Sequence, residues 1–216
     1  MKTFIANREN RKQEVMEFFG YPSELVDVLF KYSKEYFEGA WGSFYPDYVD
    51  SYYEAGFYII RQMSYLEKQI FPGNVSTFLE EVNGSVLDYG CGVGDHLIYL
   101  AKKGVKCYAV EHPGVPVEFL KYRFKKHNVD VTIISNEFLP DNEFLPDVDY
   151  TLLISALDHL EDPIGKAMQI CQITKKKIFA TPCIDENYDR PTHIKEILKD
   201  VPRAFEVISE HNKAIS

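Results

Sequence analysis

Asp88 stands just ahead of three glycines at alternate positions, Gly90, Gly92 and Gly94, and Glu111 follows about twenty residues later. Glycines in that pattern let a ligand come close to the backbone, because no Cβ stands in the way. A carboxylate at the place of Glu111, where the next apolar run ends, can accept hydrogen bonds from both hydroxyls of a ribose. Asp88 puts negative charge beside the turn, which suits a cationic ligand and opposes a pyrophosphate. Further along, Asp158 and His159 have the side-chain types of general acid–base chemistry, with Asp162 and Pro163 close behind.

Three nucleotide sites share this grammar and can be separated. A P-loop needs Lys-Ser or Lys-Thr after its last glycine, and Asp95-His96 is found instead. The dinucleotide fingerprint G-x-G-x-x-G needs glycine at position 95, which is aspartate. A ligand with a ribose and a cationic end suits Asp88 and Glu111 better, and S-adenosylmethionine has an ammonium, a sulfonium and a ribose. At this point the sequence resembles the class I S-adenosylmethionine-dependent methyltransferases, over about residues 75–182. Residues 88–94, Asp-Tyr-Gly-Cys-Gly-Val-Gly, look like the first motif of that family, and Glu111 matches its ribose-binding acid. The exit of the fourth strand, Asp158-His159-Leu160-Glu161-Asp162-Pro163, resembles its small-molecule branch, with aspartate in place of the commoner glutamate.

The resemblance implies S-adenosylmethionine as cofactor, with contacts from Asp88, Gly90, Cys91, Gly92, Gly94, Glu111, His112, Asn136, Glu137, Phe138 and Ser155. Asn136 with Glu137 and Phe138 falls where the family holds the adenine, and asparagine replaces its usual aspartate. The hexamer Asn-Glu-Phe-Leu-Pro-Asp occupies 136–141 and again 142–147, so either copy can fill that place. His159 with Asp158 is a candidate general base, or else fixes the strand-to-helix turn. His193 is a further candidate facing the same cleft. Asp158, His159 and Asp162, or Asp185, Glu186 and His193, carry ligand atoms but no recognised metal spacing, so no required metal is expected.

The elements that must position these groups show in the pattern of apolar residues. Short apolar runs at 85–89, 106–111, 131–135, 148–155 and 177–181 read as buried strands. Helical patterns at 95–103, 116–127 and 163–173 lie between them, and Asp162 before Pro163 is a helix start. The expected fold is α/β: a Rossmann-like, doubly wound, mainly parallel sheet with helices on both faces. After it, 192–200 reads as a helix and 204–210 as a last strand without a convincing partner, against seven strands in the family's sheet.

An aromatic-rich helical region precedes the sheet: residues 1–84 hold 19 of the 31 aromatic residues, so the packing material differs between the two parts. Helices are read at 8–19, at 25–36 and at 47–70, with Pro72-Gly73-Asn74 ending the last. The expected division is a helical cap at 1–75 over the acceptor and a cofactor domain at 76–216. Trp41, Tyr45 and Tyr52 are candidates to line the pocket.

The formal net charge of −9 disfavours nucleic acid as a partner, since such binding rests on neutralising phosphates. The fourth-strand exit also lacks the Asn-Pro-Pro-aromatic or Asp-Pro-Pro-aromatic run of base-methylating relatives. No run reaches the roughly 18 apolar residues of a membrane span, and no secretory signal is visible. Cys91, Cys107, Cys171 and Cys183 are widely spaced, which reads as reduced thiols in a cytoplasmic protein. Two functions follow: methyl transfer to the oxygen or nitrogen of a small-molecule acceptor, or a cofactor-binding sensor or partner protein without transfer. A closed acceptor pocket favours the first and an exposed apolar face the second.

Overall fold

The computed structural model describes residues 1–35, 56–135, 145–181 and 199–215. Five apolar segments form strands: β1 (Ser85–Tyr89), β2 (Lys106–Glu111), β3 (Val131–Ser135), β4 (Val148–Ile154) and β5 (Thr174–Thr181). They lie in the order β3-β2-β1-β4-β5, and every neighbouring pair is parallel. The order reverses between β1 and β4, and in open parallel sheets ligands bind beyond the strand ends at that place. Asp88 pairs in register with Ala109 on β2 and Leu152 on β4, which fixes it at the carboxyl end of the central strand.

The helices that precede the sheet include α1 (Lys2–Ile5), α2 (Arg8–Phe19), α3 (Ser23–Lys31), α4 (Phe57–Met63), α5 (Glu67–Ile70) and α6 (Gly73–Glu81). Three cross between strands: α7 (Asp95–Ala101), α8 (Val115–His127) and α9 (Pro163–Ile173). The last, α10 (Val201–Ala214), follows β5. Local chemistry sets the boundaries. Asn7 accepts from the Asn10 N–H at the start of α2, and Gly20, left-handed at φ 71°, ends it. Asp162 accepts from the Gly165 N–H at the start of α9, with Pro163 in its first turn.

Alternation along β1 sends side chains to two cores. Val86 joins Phe78 and Leu79 of α6, Leu97 and Ile98 of α7, and Leu120 and Phe124 of α8. Leu87 and Tyr89 join Ala167 and Ile170 of α9 and Ala204 and Ile208 of α10. Both faces of the sheet are thereby covered, as the doubly wound reading requires. Leu87, Leu152 and Leu153 are wholly buried, worth about 1.5–3 kcal/mol each in apolar surface removed from water. A third cluster joins Val15, Val26, Phe30, Ile59, Ile60 and Met63 of the N-terminal helices to Val93 of the glycine turn and Phe119 of α8.

Several expectations are corrected. Residues 204–210 are helical, within α10: Val201, Ala204 and Ile208 are its buried positions, a helical spacing, and Ala204 and Ile208 pack with α9. The Asn212 amide covers the outer edge of β5, accepting from the Ile178 N–H and donating to the Ile178 carbonyl, both at 2.9 Å. Pro72-Gly73-Asn74 starts a helix, because Pro72 caps α6 and Val75, Phe78 and Leu79 face the sheet. The stretch read as one helix to Ile70 is broken between α4 and α5. The helix read at 25–36 is interrupted at Tyr32, the C-cap of α3 (Ser23–Lys31); residues 33–35 are again helical, and position 36 lies outside the described residues. The strand read at 177–181 begins earlier, at Thr174, so that Lys175, Lys176 and Lys177 lie within β5, where Lys176 and Lys177 pair with Asp149 and Glu81.

Candidate cofactor site

The chain leaves β1 through Gly90–Gly94 and enters α7. Gly90, Gly92 and Gly94 take φ of 76°, 58° and 76°, a left-handed backbone that side chains with a Cβ rarely adopt. The turn is held by its own N–H groups. Those of Gly90 and Cys91 donate to the Val110 carbonyl, that of Gly92 to Glu111 Oε2, that of Val93 to Gln62 Oε1, and that of Gly94 to the Cys91 carbonyl. The turn is therefore stitched to β2 on one side and to α4 on the other.

Asp88 is 2% exposed, and its Oδ2 has no hydrogen-bond partner. His96, in the first turn of α7, faces it with Nδ1 3.8 Å from that oxygen. His96 Nε2–H donates to the Ile70 carbonyl at 2.7 Å. Burial pulls the His96 pKa down, but the facing Asp88 carboxylate outweighs it and leaves the value raised. A buried carboxylate oxygen without a donor is costly unless something completes it.

Glu111, at the end of β2, is also buried; its two oxygens accept from the Gly92 and His112 N–H groups. Burial, with a further push from Asp88, raises its pKa to about 7 against those two hydrogen bonds. Cys91, between the two carboxylates, is buried, and burial followed by the charges of Glu111 and Asp88 raises its pKa well above the usual thiol range. It stays a thiol, so it is no nucleophile at neutral pH.

The exit of β4 lies against the same turn. Ser155 has φ 52° and its N–H donates to the Thr181 carbonyl, while a Cβ added at Gly90 would lie 3.1 Å from that of Ala156. Leu157–His159 forms one 3-10 turn, in which Asp158 is buried and His159 exposed. The structure thus brings Asp88, Gly90, Cys91, Gly92, Gly94, Glu111, His112, Ser155, Asp158 and His159 to one edge of the sheet. Asn136, Glu137, Phe138 and His193 lie outside the described residues, as do Trp41, Tyr45, Tyr52, Cys183, Asp185 and Glu186.

Asp95, the residue that breaks the dinucleotide fingerprint, has a structural use. Its Oδ1 lies 2.7 Å from Arg11 Nη1 of α2 and 2.9 Å from Arg123 Nη1 of α8. Arg123 also pairs with Glu14 and donates to the Val93 carbonyl, and His127 Nε2 lies 2.8 Å from Glu14. Burial raises the Asp95 pKa, but Arg11 and Arg123 overcome it and hold the value down to about 2. Arg11 also donates to the carbonyls of Gln62 and Met63, so the same network fixes the residue over the turn. Sequence reasoning missed Gln62, His96 and this network. Its contacts join positions 28 to 113 residues apart, and no local period marks them.

A family model described as a methyltransferase domain matches residues 63–210. A search of curated proteins gave no match. Among solved structures, one from work on converting a disulfide bond into a thioacetal group during echinomycin biosynthesis is 14% identical, with TM-score 0.43, over 50% of this chain and 47% of that one. A protein of Pyrococcus horikoshii is 18% identical, with TM-score 0.42, over 50% and 52%. A precorrin-6y methyltransferase of Geobacter metallireducens is 16% identical, with TM-score 0.46, over 64% and 70%. The matches span about half the length of the first two.

Proposed function

This chain belongs to the methyltransferase-domain family, in the class I Rossmann-like form that uses S-adenosylmethionine, and we propose that it methylates the oxygen or nitrogen of a small-molecule acceptor. The observation that carries this reading is the buried, unpartnered Asp88 Oδ2 beside a left-handed glycine turn closed by Glu111.

Those residues fit the cofactor. Asp88 offers an acceptor to its ammonium end, and Glu111 has lone pairs left for the ribose hydroxyls, both beside the left-handed glycine turn. Cys91, His112 and Ser155 complete the wall, and Asn136, Glu137 and Phe138 are assigned to the adenine. When bound, the cofactor supplies a methyl group on a cationic sulfur, whose carbon passes to the acceptor while the broken bond's electron pair stays on sulfur.

The chain's own work is positioning and exclusion of water. An oxygen acceptor must lose a proton, and His159 at the β4 exit is the assigned base, with Asp158 beside it and His193 as a second candidate. An unprotonated amine needs no base. Residues 1–75 are assigned to the acceptor side, where their aromatic side chains supply an apolar wall with polar tips. The charge of −9 supports a small acceptor over a polyanion. No helix among the described residues is long and apolar enough to cross a membrane, and the free cysteines support a cytoplasmic setting.

Calorimetry tests the cofactor assignment directly. S-adenosylmethionine and S-adenosylhomocysteine should bind, and NADH and ATP should not. Tight NADH binding with no response to S-adenosylmethionine overturns it.

A further inference from the structure

We propose that Gln62 of α4 supplies the hydrogen-bond donor for the cofactor's carboxylate, so that the N-terminal helices complete the cofactor site. The inference rests on the reading of the site as one for S-adenosylmethionine and goes beyond it, to a residue ahead of the first strand.

The argument begins with the donors of the turn. A carboxylate bound next to the ammonium that Asp88 receives needs N–H groups. The five backbone N–H groups from Gly90 to Gly94 all have partners already: Val110, Glu111, Gln62 and Cys91 take them. The N–H groups of the turn itself are therefore spent on holding it. Asp88, Glu111 and Cys91 offer no compensating positive charge.

Gln62 lies directly over the bare face of Gly92. A Cβ built on Gly92 would fall 2.1 Å from Gln62 Oε1 and 2.7 Å from Nε2, so the amide occupies the space that the missing side chain opens. Oε1 accepts from the Val93 N–H at 3.0 Å, which fixes which end of the amide is oxygen. Nε2 has two donors and no hydrogen-bond partner among the described residues. The residue is not loosely placed. Arg11 donates to the Gln62 carbonyl at 2.7 Å and is itself held by Asp95, the first residue of α7. A donor amide is thus held at the glycine turn by a buried ion network that spans α2, α4, α7 and α8.

The test separates the donor from the acceptor of the same side chain. Gln62→Glu keeps an oxygen for the Val93 N–H and loses the N–H donors, while Gln62→Ala loses both. Binding is measured by calorimetry with S-adenosylhomocysteine, which carries the carboxylate, and with 5′-methylthioadenosine, which lacks it. Both variants should bind S-adenosylhomocysteine about tenfold or more weakly and 5′-methylthioadenosine as wild type does. Circular dichroism identifies the folded variants, and either one folded decides the matter. Unchanged S-adenosylhomocysteine affinity overturns the assignment, and so does equal weakening of both ligands, which marks a role in shaping the turn. A wild-type protein that binds neither ligand overturns the reading of the site itself.

Discussion

Replacing Glu111 with glutamine should change how stability depends on pH. The Glu111 carboxyl has a pKa of about 7 in the fold, against 4.5 ordinarily, because it is buried beside Asp88. A fold that binds this proton more tightly than the unfolded chain gains from keeping it. That gain is complete below pH 4.5 and is lost as pH rises through about 7. At about 1.4 kcal/mol for each tenfold change in proton affinity, the whole effect is about 3 kcal/mol, of which about 2.5 falls between pH 5 and pH 8. Glutamine has no proton to lose, so Glu111→Gln should gain about 2.5 kcal/mol on the wild type over that interval. Urea unfolding of both proteins at pH 5, 6, 7 and 8 measures it, and carboxylates common to both cancel in the difference. Ribose hydroxyls donating to Glu111 favour its ionised form, so saturating S-adenosylhomocysteine should flatten the wild-type profile. A difference between the proteins that stays constant from pH 5 to pH 8, or that moves toward the wild type, refutes the reasoning.

Asp88→Asn should weaken S-adenosylhomocysteine binding by about 1.5–3 kcal/mol, the worth of a hydrogen bond to a charged group, as read by calorimetry. Asp95→Ala leaves Arg11 buried without a paired carboxylate and Arg123 with Glu14 alone, and should cost about 3–5 kcal/mol in urea unfolding. Gly94→Ala places a Cβ 2.8 Å from Leu120 and Phe124 at φ 76° and should destabilise by about 1–3 kcal/mol, seen as a lower thermal midpoint. His159→Ala should lower turnover on a hydroxyl acceptor by about a hundredfold or more and leave S-adenosylhomocysteine affinity unchanged; unchanged turnover assigns His159 to the turn instead.

The cofactor half of the fold is legible because its strands are short apolar runs punctuated by glycine, asparagine and proline, and strands buried on both faces need no other signal. The register that places Asp88 and Glu111 at one edge follows from strand–helix alternation alone. The region from 204 to 210 misled because Phe205, Val207 and Ile208 are β-formers close together, while its true buried set, Val201, Ala204 and Ile208, begins before the apolar cluster. Pro72 and Gly73 read as a stop, yet the same residues start a helix when an apolar face follows them. Gln62 carried no sequence signal. A single amide in a helix gains its meaning from a glycine 30 residues away, and only three-dimensional packing brings the two together.

The way β5 is closed bears on what the sheet does in a crowded solution. A parallel strand at a sheet margin is a template for any extended segment, from a second copy or from a chain still folding. Here the Asn212 amide takes the N–H and the carbonyl of Ile178, groups that such a segment would otherwise pair with. His211 Nε2 sits 3.1 Å from the Thr174 carbonyl at the strand's start. A docked helix thus covers with a side chain part of an edge that another strand could pair with. Loosening α10 would therefore show first as self-association, before any loss of secondary structure.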